Sequence, residues 1–241
     1  MPSEQDLELW NSSADAWIAG QGETGDKSRR FLDPFVLDLL GDITNKSITD
    51  IGCGEGRYSR LLTTKGAKVT AVEPTDKLFQ AAQDRSTGET YIQEGAHKLS
   101  IADSSQDVVI FYLTMIDFDP IASAIAEAHR ILKPGGRCLV INCTSMNTAS
   151  DSLWLRDENN NKIAWRVESY GRAHQVTSEW AGIKINNYHR PLTDYLQSFL
   201  KQGFQLLDYL EPVPTDGQIE AEPNMATYLI VPFFNIHHWR K

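Results

Sequence analysis

Three cysteines in 241 residues, Cys53, Cys138 and Cys143, are too few and odd in number for a disulfide framework, and they read as buried thiols. A metal centre is not expected either: His237 and His238 are adjacent, so they cannot sit on one helical face as ligands at an i, i+4 spacing do. The sequence has no apolar run long enough to cross a bilayer. Its opening, Met1-Pro2-Ser3-Glu4-Gln5-Asp6, lacks the basic start and apolar centre of a secretory signal, so a soluble cytoplasmic enzyme with no membrane partner is expected. Internal repeats and low-complexity tracts are absent. Basic charge is scarce: 23 Lys and Arg face 32 Asp and Glu, a net charge of −9. Arg29-Arg30 and Trp239-Arg240-Lys241 are the only basic clusters, and such a surface repels phosphate backbones, so no nucleic-acid partner is expected. The hydrophobic fraction, 41%, is enough to build the core of one α/β domain.

The densest signal lies at residues 48–56, Ile-Thr-Asp-Ile-Gly-Cys-Gly-Glu-Gly, where an apolar approach ends in Asp50 and is followed by Gly52, Gly54 and Gly56. Arg57-Tyr58-Ser59-Arg60-Leu61-Leu62 then opens a helix. Strand, tight turn and helix start in this order demand a backbone that bends sharply and lets a ligand come close. Spacing separates the ligands such a turn serves. The dinucleotide fingerprint needs a third glycine where Arg57 stands, and the phosphate-cradling loop needs Gly-Lys-Ser/Thr, which does not follow Gly56. About twenty residues on, Lys68-Val69-Thr70-Ala71-Val72-Glu73-Pro74 is an apolar strand ending in a carboxylate, the position from which an α/β nucleotide site accepts ribose hydroxyls.

Gly-x-Gly-x-Gly after an acidic residue resembles motif I of the class I S-adenosylmethionine-dependent methyltransferases. Leu132-Lys133-Pro134-Gly135-Gly136, which stops a helix before the strand Arg137–Asn142, looks like that family's signature after the fourth strand. The similarity covers residues 30–143 strongly and the rest more loosely. It implies S-adenosyl-L-methionine as cofactor, S-adenosyl-L-homocysteine as product, and a Rossmann-like sheet of seven mainly parallel strands with helices on both faces, the last strand antiparallel. By resemblance, cofactor contacts fall on Asp50, Gly52, Gly54, Glu73 and Pro74, on Gly95, Ala96 and His97 around the adenine, and on Tyr112 at the end of the strand Asp107–Tyr112. The sequence departs from the pattern at Gly95, where the family often has an Asp. No Pro-Pro-Tyr or Pro-Pro-Phe signature of base-modifying methyltransferases follows Tyr112; the sequence there is Leu113-Thr114-Met115.

Leu7, Trp10, Ala14 and Trp17 recur at helical spacing before Gly20-Gln21-Gly22 and mark an N-terminal amphipathic helix. In this family such a helix commonly lies over the cofactor as a lid, from which Arg30 would reach the cofactor carboxylate. Asp33-Pro34 is expected to start the next helix. Residues 144–190 are too long for an ordinary connection and carry Trp154, Trp165, Tyr170, Trp180 and Tyr188, so they read as an inserted cap after the fifth strand. Within it, Asn159-Asn160-Asn161 suggests a hairpin between Leu153-Trp154-Leu155 and Ile163-Ala164-Trp165, and Ile183–Tyr188 a further arm. The cap's rings either line an apolar acceptor pocket or form a small core of their own. Thr193 is expected to cap a helix that Gly203 stops, with Gln205–Leu210 and Ala226–Val231 as the final strands. The whole, 1–241, reads as a single methyltransferase domain: lid 1–32, cofactor core 33–143, acceptor-side cap 144–190, and C-terminal helix and strands 191–241.

Methyl transfer from a sulfonium needs no acid for the leaving group, and a base only when the acceptor is protonated. His189, directly after the cap, is the candidate base; the alternative is a histidine that holds a loop. His174 and Tyr170 are weaker candidates, and His129 reads as a surface residue of the helix Ile121–Leu132. The expected acceptor is a small molecule, as for the branch that includes quinone-biosynthesis C-methyltransferases. The alternatives are a protein or peptide N-methyltransferase and a non-catalytic cofactor-binding or scaffold protein.

Overall fold

The computed structural model describes residues 3–150 and 154–241. Helix α1, Glu4–Gln21, starts at a capping box in which Ser3 and Asp6 each accept a main-chain N–H of the other. Helix α2, Lys27–Leu40, is capped by Asp26, whose carboxylate accepts the Arg29 N–H. This corrects the expected start at Asp33-Pro34: the cap nucleates the helix earlier, and Pro34 lies inside it.

Strand and helix then alternate: β1 Ser47–Ile51, α3 Arg57–Thr64, β2 Lys68–Val72, α4 Asp76–Asp84, β3 Thr90–Ile92, β4 Gln106–Tyr112, α5 Ala122–Ile131 and β5 Leu132–Cys143. A short helix α6, Ser145–Thr148, leads to two hairpins, β6 Trp154–Arg156 with β7 Lys162–Trp165, and β8 His174–Trp180 with β9 Ile183–His189. Both expected hairpin arms are therefore strands; Leu153 lies outside the described residues. Helix α7, Leu192–Lys201, strand β10, Gln205–Leu210, helix α8, Asp216–Ala221, a 3₁₀ helix at Pro223–Leu229 and strand β11, Phe234–Arg240, complete the chain.

The main sheet has seven strands in the order β3-β2-β1-β4-β5-β11-β10, parallel except that β11 runs antiparallel to both its neighbours. Helices cover both faces. On one, Phe31, Val36 and Leu62 from α2 and α3 pack on Ile48, Ile110 and Ile141. On the other, Ile125 and Ala128 of α5 and Phe199 of α7 pack on Val109, Val140 and Trp239, with the Phe199 and Trp239 rings stacked at 4.8 Å.

Two expectations at the C-terminal end are corrected. The last strand is Phe234–Arg240 and not Ala226–Val231, most of which lies in the 3₁₀ helix begun by Pro223. Strand β11 is buried on both faces, so its sequence carries no polar alternation, and His237 and His238 lie within it. Thr193 is not a cap either: α7 begins after Pro191, which already holds an extended backbone, and Gly203 follows the last turn at φ 98°. No described helix is long and apolar enough to cross a membrane, and no metal-ligand cluster occurs among the described residues.

Candidate functional site

Strand β1 delivers its carboxyl end into the glycine turn at the centre of the sheet, where β1 lies between β2 and β4. The Gly52 and Cys53 N–H groups bond to the Val72 carbonyl at 2.8 and 3.0 Å, which locks the turn onto β2. Gly52 has φ 74°, and a Cβ on it would stand 2.1 Å from Oγ1 of Thr114; only glycine fits there. Gly54 also has positive φ and donates its N–H to Oε2 of Glu73 at 3.0 Å. The second Glu73 oxygen accepts the Thr75 N–H at 2.9 Å. Burial pushes the Glu73 carboxyl up from its ordinary range, against these bonds.

A cavity with an empty volume of about 980 Å³, counted out to its open mouth, extends above this turn. Asp50, Gly52, Gly54, Glu73, Pro74, Ala96 and Tyr112 all border it. Asp50 is 1% exposed; its Oδ2 accepts the Ser59 hydroxyl at 2.6 Å and its Oδ1 has no partner. Burial raises its pKa to about 6. Tyr112 is fixed by donation to Oδ1 of Asp33 at 2.8 Å, and Asp33 in turn receives two bonds from Arg57 at 2.7 and 3.0 Å.

Four candidates lie elsewhere. Arg30 is exposed and bonds the Gly25 carbonyl, while its neighbour Arg29 faces the cavity, its guanidinium 4.6 Å from the Trp17 ring centre and paired with Asp26 at 2.8 Å. One helical step of 100° separates the two, and the sequence pair alone does not choose between them. Gly95 and His97 stand behind the wall. A Cβ at Gly95 would lie 2.8 Å from the His97 ring, and Glu94 borders the cavity in their place. His189 is 1% exposed and both its ring nitrogens are engaged: one with the Thr148 hydroxyl and one with the Tyr170 carbonyl, each at 2.9 Å. The carbonyl can only accept, so Nε2 carries the hydrogen and Nδ1 is spent on Thr148. Both ring nitrogens are thus occupied, the arrangement expected of the alternative, a histidine that holds a loop.

The cap's aromatic rings do not border the cavity either. Trp154 and Trp165, both half-buried, pack edge to face on each other at 4.9 Å. The rings over the cavity are Trp10 and Trp17 of α1 with Phe118 after β4, and Trp17 Nε1 stands 3.6 Å from where a Gly54 Cβ would be. Helix α1 is held there by polar bonds to β9: Ser13 Oγ accepts the Lys184 N–H at 2.9 Å and donates to its carbonyl at 3.0 Å. Asp6, 2% exposed, accepts from Asn186 Nδ2 and the Tyr188 hydroxyl, both at 2.9 Å. Residues that the sequence did not single out for the site are Arg29, Glu94, Thr114, Asp117 and Phe118; the last three follow β4, where no motif marks them.

Residues 49–140 match the family model of a methyltransferase domain. The malonyl-(acyl-carrier protein) O-methyltransferase of Pseudescherichia vulneris is 30% identical over 101 residues, 42% of this chain and 40% of that protein. The ubiquinone/menaquinone biosynthesis C-methyltransferase of Desulfotalea psychrophila is 30% identical over 114 residues, 46% of each. The chain thus spans less than half the length of these curated relatives. An S-adenosylmethionine-dependent methyltransferase structure from Mesorhizobium loti is similar over 87% of this chain and 97% of its own, with a TM-score of 0.80 and 25% identity.

Proposed function

We propose that the chain is a class I S-adenosylmethionine-dependent methyltransferase and that it transfers a methyl group from S-adenosyl-L-methionine to a small-molecule acceptor held beneath α1. The observation that carries this reading is the buried Glu73 carboxylate bonded to the Gly54 N–H on the wall of a closed-over cavity. Each Glu73 oxygen accepts one main-chain N–H and keeps a lone pair for a ribose hydroxyl. The side-chain-free turn and the unpartnered Oδ1 of Asp50 also fit a polar ligand at van der Waals distance from the backbone.

The cofactor, when bound, supplies a methyl group on a positively charged sulfur that departs as a neutral thioether. The chain's own work is then to hold and enclose. Ala96, whose N–H donates no hydrogen bond among the described residues, is suited to an adenine ring nitrogen, and the Glu94 oxygen not bonded to Ser100 to the adenine amino group. Arg29 takes the role expected of Arg30 toward the cofactor carboxylate, since it keeps N–H donors beyond the one given to Asp26. Trp10, Trp17 and Phe118 exclude water around the dispersing positive charge. In this division residues 1–32 are the lid, 33–143 the cofactor core and 144–190 a cap that anchors the lid through β9, with 191–241 completing the single domain.

An α1 fastened across the cavity favours a compact acceptor over a protein side chain, and a cavity bordered by the glycine turn and Glu73 favours chemistry over a silent scaffold. Calorimetric titration with S-adenosyl-L-homocysteine tests the cofactor reading: saturable binding is expected, and none at millimolar ligand would overturn it. Labelled methyl donor added to metabolite extracts tests the acceptor class, with label expected in small molecules and not in protein.

A further inference from the structure

The loop after β4 is clamped from several sides. Leu113 has φ 55°, an αL backbone that turns the chain out of the strand. The Tyr188 N–H bonds the Ile116 carbonyl at 2.6 Å, and the buried Arg190 donates to the carbonyls of Met115 and Phe118 and to Asp119. Asp117 lies between these clamps and borders the cavity. Its Oδ1 accepts from Asn187 Nδ2 at 2.7 Å, and the Asn187 amide is fixed at its other end by the Ser178 hydroxyl, 3.0 Å from Oδ1. The second Asp117 oxygen takes no hydrogen bond among the described residues. A carboxylate held this firmly, with one oxygen left over at a cavity roofed by Trp10, Trp17 and Phe118, is built to meet a donor.

We propose that Asp117 is the catalytic base and that the acceptor is an amine on an apolar body, its nitrogen donating to the free Asp117 oxygen. This rests on the methyl-transfer reading and deepens it. The choice of an amine follows from charge. Asp50, Glu73, Glu94 and Asp117 border the cavity with no ion-pair partner among the described residues, Glu55 being held by Arg60 and Arg85, whereas its two guanidiniums, Arg29 and Arg57, are already paired with Asp26 and Asp33. A carboxylate acceptor would meet like charge at Asp117. In the step, Asp117 takes one proton from the ammonium and the freed nitrogen lone pair forms the N–C bond. The C–S bond breaks with its electron pair left on sulfur, so that the products are a methylated ammonium, a neutral thioether and protonated Asp117.

Burial pushes the Asp117 carboxyl up, Glu73 and Asp6 add to this, and Arg29 and the Asn187 bond oppose it; the nearby Cys143 thiol is itself pushed up by burial to about 12. A raised carboxyl is a stronger base, and its proton is removed at higher pH than that of an ordinary carboxyl. Asn187 is a positioning residue, and Asn187→Ala, which removes a bond to the charged form, moves the lower limb of the pH profile to higher pH.

The test uses protein saturated with S-adenosyl-L-homocysteine and matched pairs of probes: benzylamine, phenethylamine and tryptamine against benzoate, phenylacetate and indole-3-acetate. Calorimetry is expected to show amines bound at least about tenfold more tightly than their paired acids. Asp117→Asn, which is isosteric, is expected to lose that preference while its affinity for S-adenosyl-L-homocysteine stays within about twofold. Acids bound as well as amines, no amine bound, or an unchanged preference in Asp117→Asn would overturn the proposal. A loss of S-adenosyl-L-homocysteine affinity in the variant would also overturn it by moving Asp117 to the cofactor. Failure of the wild-type protein to bind S-adenosyl-L-homocysteine sinks the methyl-transfer reading itself, whereas intact cofactor binding without amine preference sinks only this inference.

Discussion

At Gly52 a side chain has nowhere to go, because Thr114 Oγ1 occupies its space and the backbone is left-handed. Gly52→Val is therefore expected to abolish S-adenosyl-L-homocysteine binding in calorimetry. Glu73→Ala, which removes the proposed ribose acceptor, is expected to weaken it by about 1–3 kcal/mol; unchanged affinity in both variants would contradict the site. His189 makes the opposite case. Both its nitrogens are spent on Thr148 and Tyr170, so His189→Ala is expected to lower the urea midpoint, through a loss of about 1–3 kcal/mol, and to leave the pH dependence of turnover unmoved. A shifted pH profile would restore it as a base. The residues of the glycine turn were legible because close backbone approach needs a particular residue type. The role of His189 was not legible because it is set by partners that come from elsewhere in the chain, here 19 and 41 residues away.

Among the elements, α1 decides whether the cavity is roofed. Its spacing of apolar residues made it legible as a helix, but its anchorage rests on small polar groups, Asp6 and Ser13, which sequence periodicity treats as the solvent face. Burial pushes the Asp6 carboxyl up, yet the bonds from Asn186, Ser3 and Tyr188 together outweigh it and hold the pKa below its ordinary value. The sign is that of a depressed acid: the anchorage is full above pH ~4 and is lost as the pH falls through the lowered folded value. Asp6→Ala is expected to raise amide exchange across α1 at neutral pH and to weaken cofactor binding, with exchange in β4 and β5 unchanged. Uniform protection in α1 would disprove the latch. The final strand escaped notice for a related reason, since burial on both faces erases the alternation that marks a half-exposed strand.

For the molecule as a whole, the β11 face holds a titratable group that the mechanism does not use. His237 is fully buried with both ring nitrogens unpartnered, and burial lowers its pKa to about 4. The unfolded chain binds a proton near pH 6.5, so the histidine's contribution is complete above that pH and is lost as the pH falls from 6.5 toward 4. Stability to urea should decline over this window by up to about 3 kcal/mol on His237's account. His237→Phe should flatten that decline; an equally steep loss in the variant would place the acid sensitivity elsewhere. Asp50 acts in the opposite sense, since its raised value near 6 favours the fold as it takes up a proton below that pH, so the two partly offset.

The sequence by itself determined the order of strands and helices up to β5, the glycine turn, the acid at the end of β2 and hence the resemblance to a methyltransferase domain and its cofactor site. These are local properties: hydrophobic period, turn chemistry and fixed spacing along one βαβ unit. Only the tertiary structure decided that Arg29 and not Arg30 faces the cavity, that α1 supplies the rings over it, that His189 is spent on the loop and that Asp117 is held at its wall. Those outcomes depend on contacts between residues separated in the chain, by 19 for His189 with Tyr170, 70 for Asn187 with Asp117 and 180 for Asn186 with Asp6. Close packing fixes such contacts through the shape of the whole interior, and no short stretch of sequence contains both partners.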